Sequence, residues 1–192
     1  MILALIEQPT FHPEKTQSLR MVLLGSTIIP PSAVATATDR KLIGASDTVV
    51  AYGLTEGTPI CGASSKEGMK CDHGAVSVGP PLPGVRVRIC ENQSRRVLAR
   101  GQTGELHYGG DLVINGYLYG DNQCFYDDPS GHWMATGDEA MMDEEGNVFV
   151  FGRYKDIIIR GGENLSPGLI ENCLSRAGTF VSSASHLQRY RC

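Results

Sequence analysis

The segment Gly152–Pro167 constrains this chain more than any other stretch. It runs from a glycine through the charged Arg153-Tyr154-Lys155-Asp156 into Ile157-Ile158-Ile159-Arg160. Gly161-Gly162-Glu163-Asn164-Leu165 and then Ser166-Pro167 follow. An isoleucine run bounded by charges predicts a short strand. Paired glycines predict a turn whose backbone a ligand can approach closely. Ser166 and Pro167 suit the N-cap and first position of a helix running to about Arg176. Arg153 offers a planar fork for sugar or phosphate oxygens. So many unlike features in fixed order set this segment apart from a strand, turn and helix that merely carry surface charge.

Two shorter constellations precede it. Tyr52-Gly53-Leu54-Thr55-Glu56 follows the apolar strand Thr48–Ala51. A strand ending in a glycine turn exposes small polar groups at the carboxyl edge of a sheet, where α/β folds bind ligands. A Thr hydroxyl and a carboxylate there suit a phosphate oxygen and a hard cation, and the aromatic ring suits a base. Alone, the pentapeptide reads more often as a polar turn capping the next element. Thr136-Gly137-Asp138 follows Trp133; a carboxylate after a tight turn can accept both hydrogen bonds of a vicinal diol. Three residues recur by chance, and an Asp in a strand-entry turn is the plainer reading.

The rest of the chain supplies a frame. Residues 1 to 9 read as a helix end stopped by Pro9, and Leu19–Leu24 as a buried strand closed by Gly25. Pro30 and Pro31 open a helix through about Leu42. A strand, helix, strand order predicts an α/β layer with a partly parallel sheet. Beyond Gly79, Val85–Ile89 alternates with period two, Glu105–Tyr108 and Val148–Phe151 repeat the pattern, and Glu145-Gly146-Asn147 sits where a hairpin turns. The expected class is mixed α/β (α+β): part of an α/β layer, a small β-barrel, and the start of a further domain. A length of 192 residues fits one domain or one and a half, and 23 glycines fit many turns.

Several functions are disfavoured. A net charge of −4 argues against nucleic acid or an anionic membrane as partner, and Arg86, Arg88, Arg95, Arg96 and Arg100 read as a solvated barrel face. The six cysteines lack the spacing of a zinc knuckle or redox dithiol and read as separate reduced thiols. Glu7 interrupts the apolar start and no basic leader precedes it, so a signal peptide is not expected. No apolar run approaches the roughly 20 residues of a membrane span. The C-terminal Tyr190-Arg191-Cys192 is no peroxisomal address, and the expectation is a soluble, cytoplasmic protein. Walker-type phosphate loops, dinucleotide fingerprints, zinc-protease helices and serine-hydrolase elbows are all absent.

Taken together, Tyr52–Glu56, Thr136–Asp138 and Gly152–Pro167 resemble three ordered motifs of the adenylate-forming (AMP-binding) superfamily, most closely its acyl-CoA synthetases. Flanking segments agree: Leu19–Gly25 resembles the strand before the acyl-pocket turn, Val78–Gly84 the linker into the barrel, and Thr103–Leu106 a barrel strand. The likeness runs over roughly residues 1 to 176. It implies 1–78 as the C-terminal part of the large domain's α/β region and 79–151 as the small barrel. It makes 152–177 the start of a C-terminal lid and 178–192 a divergent tail.

The same resemblance assigns roles. Tyr52 and Gly53 lie against adenine, Thr55 contacts phosphate, Glu56 holds Mg²⁺, and Asp138 and Arg153 bind ribose. Lys155 is the hinge of the lid, and Gly161 and Gly162 line the coenzyme A tunnel. Gly25, Ser26, Thr27 and Leu54 line the acid pocket. ATP or AMP, Mg²⁺, coenzyme A and a small carboxylic acid are the implied ligands, with acyl-adenylate formation and then thioesterification as the chemistry. Secondary metabolism is one setting for such ligases.

Departures from the family pattern are Ser26 for glycine, Ala135 for a basic residue and Leu169 for an acidic one. The family's phosphate loop is expected before residue 1 and its lid lysine beyond Arg176, so the chain reads as truncated at both ends. An exposed sheet edge would then favour self-association. A catalytically inactive pseudoenzyme, or a remnant of a peptide-synthetase adenylation domain, are the alternative readings.

Overall fold

A computed structural model of the chain describes residues 5–6, 8–39, 43, 45–72, 75–156, 158–160, 163–165, 167 and 170. Two sheets carry most of them. The first consists of β1 (Val22–Leu24), β2 (Thr48–Leu54) and β3 (Gly57–Ser64) in that spatial order. Between β1 and β2 lies the eight-residue helix α1 (Pro31–Thr38). β1 and β2 run parallel, as a strand, helix, strand connection requires.

The second sheet gathers β4 (Cys71–Asp72), β5 (Ala75–Gly79), β6 (Val85–Cys90), β7 (Thr103–Gly110), β8 (Phe125–Asp128), β9 (Gly131–Met142) and β10 (Val148–Arg153). Its order is β4-β5-β10-β9-β7-β6, every pair antiparallel. The long β9 holds β10 along its C-terminal half and β8 along its N-terminal half. A short hairpin, β11 (Ile158–Arg160) with β12 (Glu163–Leu165), follows.

This arrangement agrees with the expected partial adenylate-forming ligase fold, with sheet dominant and helix scarce among the described residues. The helix expected through Leu42 stops at Thr38, because Asp39 leaves the helical region at φ −71°, ψ 108°. Thr38 accompanies the stop, its hydroxyl bonding back to the carbonyls of Val34 and Ala35. The apolar run Leu19–Leu24 is not buried on both faces either. Leu24 faces the core, whereas Leu19, Met21 and Leu23 are 41%, 56% and 63% exposed. β1 is the outer strand of its sheet, and this is the open edge on which the expectation of self-association rests.

Past the first motif the chain turns straight back. Leu54 pairs with Gly57 across Thr55 and Glu56, making a tight β2–β3 hairpin. Gly57 permits it, since a Cβ there would lie 2.3 Å from the Tyr108 hydroxyl. The Glu145–Asn147 hairpin forms as expected: the Asp143 carboxylate accepts from the backbone amides of Glu145 and Asn147. Glu163–Leu165, to which the sequence assigned no element of its own, forms β12. Pro167 and Ile170 are helical; Gly161, Gly162, Ser166 and the stretch 171–192, including the divergent tail, lie outside the described residues.

One apolar core joins the sheets, from Leu24, Val50 and Ile60 to Val78, Leu106, Tyr108 and Val148. The sheets touch most closely at Gly79, where φ is +85° and a Cβ would fall 2.0 Å from the Gly62 carbonyl oxygen. Gly79→Ala is therefore expected to lower unfolding free energy by about 2–4 kcal/mol, combining left-handed strain with a backbone clash. Gly84 has a similar φ of +83° but open space around it, so Gly84→Ala should cost only about 1–2 kcal/mol. Urea denaturation of both variants checks the difference.

Candidate functional site

The three separated segments meet where the sheets join. A cleft of about 340 Å³ opens there, walled by Ser26 and Thr27 after β1, Tyr52 and Leu54 of β2, Asp138 of β9 and Arg153 of β10. Val76, Val78 and Val150 give it an apolar floor. Its polar centre is Asp138. The Tyr52 hydroxyl donates to Asp138 Oδ2 at 2.5 Å and Arg153 Nε donates to Oδ1 at 2.8 Å. Asp138 and Arg153 are direct neighbours in the β9–β10 register, which is why residues distant in sequence share one wall.

Asp138 is 3% exposed. Burial raises the pKa of its carboxyl, and the Tyr52 hydrogen bond and the charges of Arg153 and Lys155 offset only part of that rise. The Tyr52 hydroxyl is pushed far above its ordinary range, by burial first and by the Asp138 charge second. Arg153 lines the cleft with its side chain almost half exposed. A buried acceptor beside an accessible planar cation and an aromatic ring, over an apolar floor, suits a ribose diol carrying a flat base.

Not every expected residue joins this cleft. Thr55 is exposed on the hairpin and Glu56 sits beside it; neither lines the cavity. The Glu56 carboxylate accepts from the Tyr117 hydroxyl at 2.5 Å instead, and its carbonyl accepts from the Ile114 amide. No group of three or more His, Cys, Asp or Glu that could hold a metal gathers among the described residues. The cleft thus suits a nucleoside, and Glu56, held by Tyr117, is the carboxylate that the adjoining turn offers. Lys155 lies exposed in the turn Tyr154–Asp156 and reaches Asp138 only through its charge. Gly25 stands next to the cleft, pressed on β2, where a Cβ would lie 3.0 Å from the Ala51 carbonyl oxygen. Gly161 and Gly162 lie outside the described residues.

Two further features were not foreseen. The arginines of the barrel are not simply solvated. Arg88 pairs with Asp128 at 2.7 Å and lies 3.8 Å from the Trp133 ring centroid. Arg95 lies 4.2 Å from that of Tyr126, and Arg96 pairs with Glu91. Tyr117, which ties down Glu56, carried no sequence signal beyond being a tyrosine in a glycine-rich loop.

Comparison with known proteins fits this geometry. The family profile "AMP-binding enzyme" matches residues 1–118. The chain belongs to the AMP-binding enzyme family. It is 31% identical over 174 residues to a putative acyl-CoA synthetase of Bacillus subtilis (strain 168), covering 91% of this chain and 31% of the relative. It is 30% identical over 172 residues to a mitochondrial medium-chain acyl-CoA ligase of Mus musculus, covering 90% and 28%. Among solved structures, O-succinylbenzoate coenzyme A synthetase from Bacillus subtilis, in complex with ATP and magnesium ion, superposes with a TM-score of 0.74 at 27% identity. The match covers 94% of this chain and 36% of that one. ATP-bound MatB from Rhodopseudomonas palustris gives a TM-score of 0.70 at 28% identity, covering 88% and 32%. The chain thus spans about a third of the length of the relatives it matches. No helix among the described residues is long and apolar enough to cross a membrane.

Two outcomes are expected of the cleft itself. Because the folded state holds the Asp138 proton more tightly than the unfolded chain, this group's contribution to stability falls as pH rises through its unfolded and then its folded value. Asp138→Asn removes that penalty. The variant should match or exceed the wild-type melting temperature near neutral pH, and the gap should narrow toward about pH 4, the unfolded carboxyl value. Thermal melts across that range check it. Ser26, in place of the family glycine, adopts φ 69°. A left-handed Cβ costs about 1–2 kcal/mol, partly offset by the greater freedom of unfolded glycine. Ser26→Gly should therefore stabilise by up to about 1 kcal/mol, read by chemical denaturation.

Proposed function

We propose that this chain carries the nucleoside-binding half of an acyl-CoA ligase site. In the full reaction a carboxylic acid attacks the α-phosphate of ATP to give an acyl-adenylate and pyrophosphate, and the acyl group then passes to coenzyme A. The observation that carries this reading is the meeting of Tyr52, Asp138 and Arg153 in one cleft, from three segments that each resemble a motif of the family. Asp138 accepts the ribose hydroxyls, Arg153 donates to ribose or phosphate oxygens, and the Tyr52 ring with Val76 and Val150 covers the adenine. Ser26, Thr27 and Leu54 form the part of the wall nearest the acid, with Gly25 setting their backbone.

Glu56, released from Tyr117, is the residue that would hold Mg²⁺, which supplies charge neutralisation on the phosphates when bound. Thr55 beside it would contact phosphate. Lys155 is the hinge on which the following segment swings, and Gly161 and Gly162 would line the path of the coenzyme A thiol.

A second reading is favoured by the Glu56–Tyr117 hydrogen bond. With its candidate metal ligand engaged elsewhere, the chain binds adenosine nucleotides without activating an acid.

Calorimetric titration with AMP, and ATP–pyrophosphate exchange with Mg²⁺ and a pool of fatty, aromatic and amino acids, separate the readings. Ligase chemistry predicts exchange that Glu56→Ala and Asp138→Ala both abolish. Binding alone predicts AMP affinity lost by at least about tenfold in Asp138→Ala, as for a charge-assisted hydrogen bond, retained in Glu56→Ala, and no exchange. An absence of AMP binding by folded protein refutes both.

A further inference from the structure

We infer that Glu105, a buried acid on the neighbouring barrel strand, is a positioning residue for the nucleoside site, setting the aim of Asp138 through the backbone amide of Gly137. The inference rests on the proposed reading of Asp138 as the ribose acceptor.

The strands β7 and β9 pair regularly on either side of one irregularity. Glu105 lies opposite Glu139 and His107 opposite Ala135, leaving Thr136, Gly137 and Asp138 facing Leu106 alone. Surplus residues in one strand bulge outward and re-aim their side chains. Here the bulge turns Asp138 toward Tyr52 and Arg153.

Three hydrogen bonds hold it. The Thr136 hydroxyl donates to the Leu106 carbonyl at 2.8 Å, and the Asp138 amide donates to Thr136 Oγ1 at 3.1 Å. The Gly137 amide donates to Glu105 Oε1 at 2.9 Å. The first two use groups within the bulge or the backbone opposite. Only the third brings a side chain from β7. Gly137 adopts φ +74° although a Cβ there would meet nothing within 4 Å, so its positive φ answers to the direction of its amide and not to crowding.

Glu105 is 9% exposed, and a carboxylate at that depth needs partners. It has them on both sides. Burial pushes its pKa up, but His107 first, then the Gly137 and Gln93 amides, hold it below the ordinary carboxylate range. His107 Nε2 lies 3.3 Å from Oε2, an ion-pair distance outside hydrogen-bond alignment. His107 Nδ1 is hydrogen-bonded to the Tyr126 hydroxyl at 2.5 Å, and that hydroxyl accepts from Arg88, itself paired with Asp128. A run of neighbouring polar groups thus leads from the barrel face to the turn that presents Asp138. Its last member acts on the ligand only through that turn.

Paired titrations with AMP and 2′,3′-dideoxy-AMP test this, because only AMP offers the diol. The readout is the ratio of the two dissociation constants. The wild type should favour AMP by about tenfold or more. Glu105→Gln keeps an acceptor for the Gly137 amide and should keep the ratio. Glu105→Ala should bring the ratio to within about twofold of unity, as Asp138→Ala does, while dideoxy-AMP affinity stays within about twofold of wild type. A Glu105→Ala protein that retains the ratio, or that loses both nucleotides equally, overturns the positioning role and leaves the ribose reading standing. An Asp138→Ala protein that retains the ratio overturns both. Should Glu105→Ala not fold, Glu105→Asp takes its place: one methylene shorter, it should cut the ratio at least about threefold, and an unchanged ratio refutes the inference.

Discussion

A buried carboxylate links the two sheets of this protein. Asp138 belongs to the large sheet and Tyr52 to the small one, and the hydrogen bond between them crosses the junction. Removing a single partner from a buried charge leaves it uncompensated, which is more damaging than never having placed it there. The chain tolerates Asp138 because Arg153 reaches it from the adjacent strand and Tyr52 from the opposing sheet. The same three groups form the polar wall of the cleft. Stability and ligand geometry therefore compete at one site, with burial penalising the charge that a diol would require.

This competition bears on what the cleft can do. On the proposed reading its nucleoside side is assembled: Asp138, Arg153, Tyr52 and an apolar floor line one cavity. Its phosphate side is not, since the hairpin turn carries Thr55 and Glu56 away from the cavity lining and Tyr117 holds the carboxylate. A Tyr hydroxyl on a carboxylate is a neutral donor to an anion. A divalent cation offers that anion far more, and the exposed loop bearing Tyr117 has few apolar anchors, with Leu118 and Tyr119 both largely in solvent. The contact is thus of a kind that a metal–nucleotide complex could displace without disturbing the core.

Much of the site was legible in the sequence, because motif residues are constrained by chemistry and not by surroundings. Asp138, Arg153 and Tyr52 could be picked out by the order of unlike features around them, and the structure brings them together. Sheet partners were less legible. The mixed segment Gly57–Ser64 is the strand that closes the hairpin, but whether a chain turns back there depends on Gly57 fitting beneath Tyr108, a tertiary fact. Likewise Leu23 is as apolar as Leu24, and only the outer position of β1 decides that one faces water. The extent of α1 failed for a local reason: an alanine-rich start predicts propagation, while Thr38 and Asp39 supply competing side-chain and backbone geometry.

Glu105 shows why the remainder was hidden. In sequence it is one charge in an alternating strand, and alternation assigns such a residue to solvent. In the structure the neighbouring strand bulges at Thr136–Asp138, which exposes an amide that strand pairing cannot satisfy, and a carboxylate is the group that answers it. The burial of Glu105 and the aim of Asp138 are then two consequences of one irregularity. Neither residue explains its own environment: the acid is needed because the bulge exists, and the bulge exists where the cleft-facing carboxylate leaves the plane of the sheet.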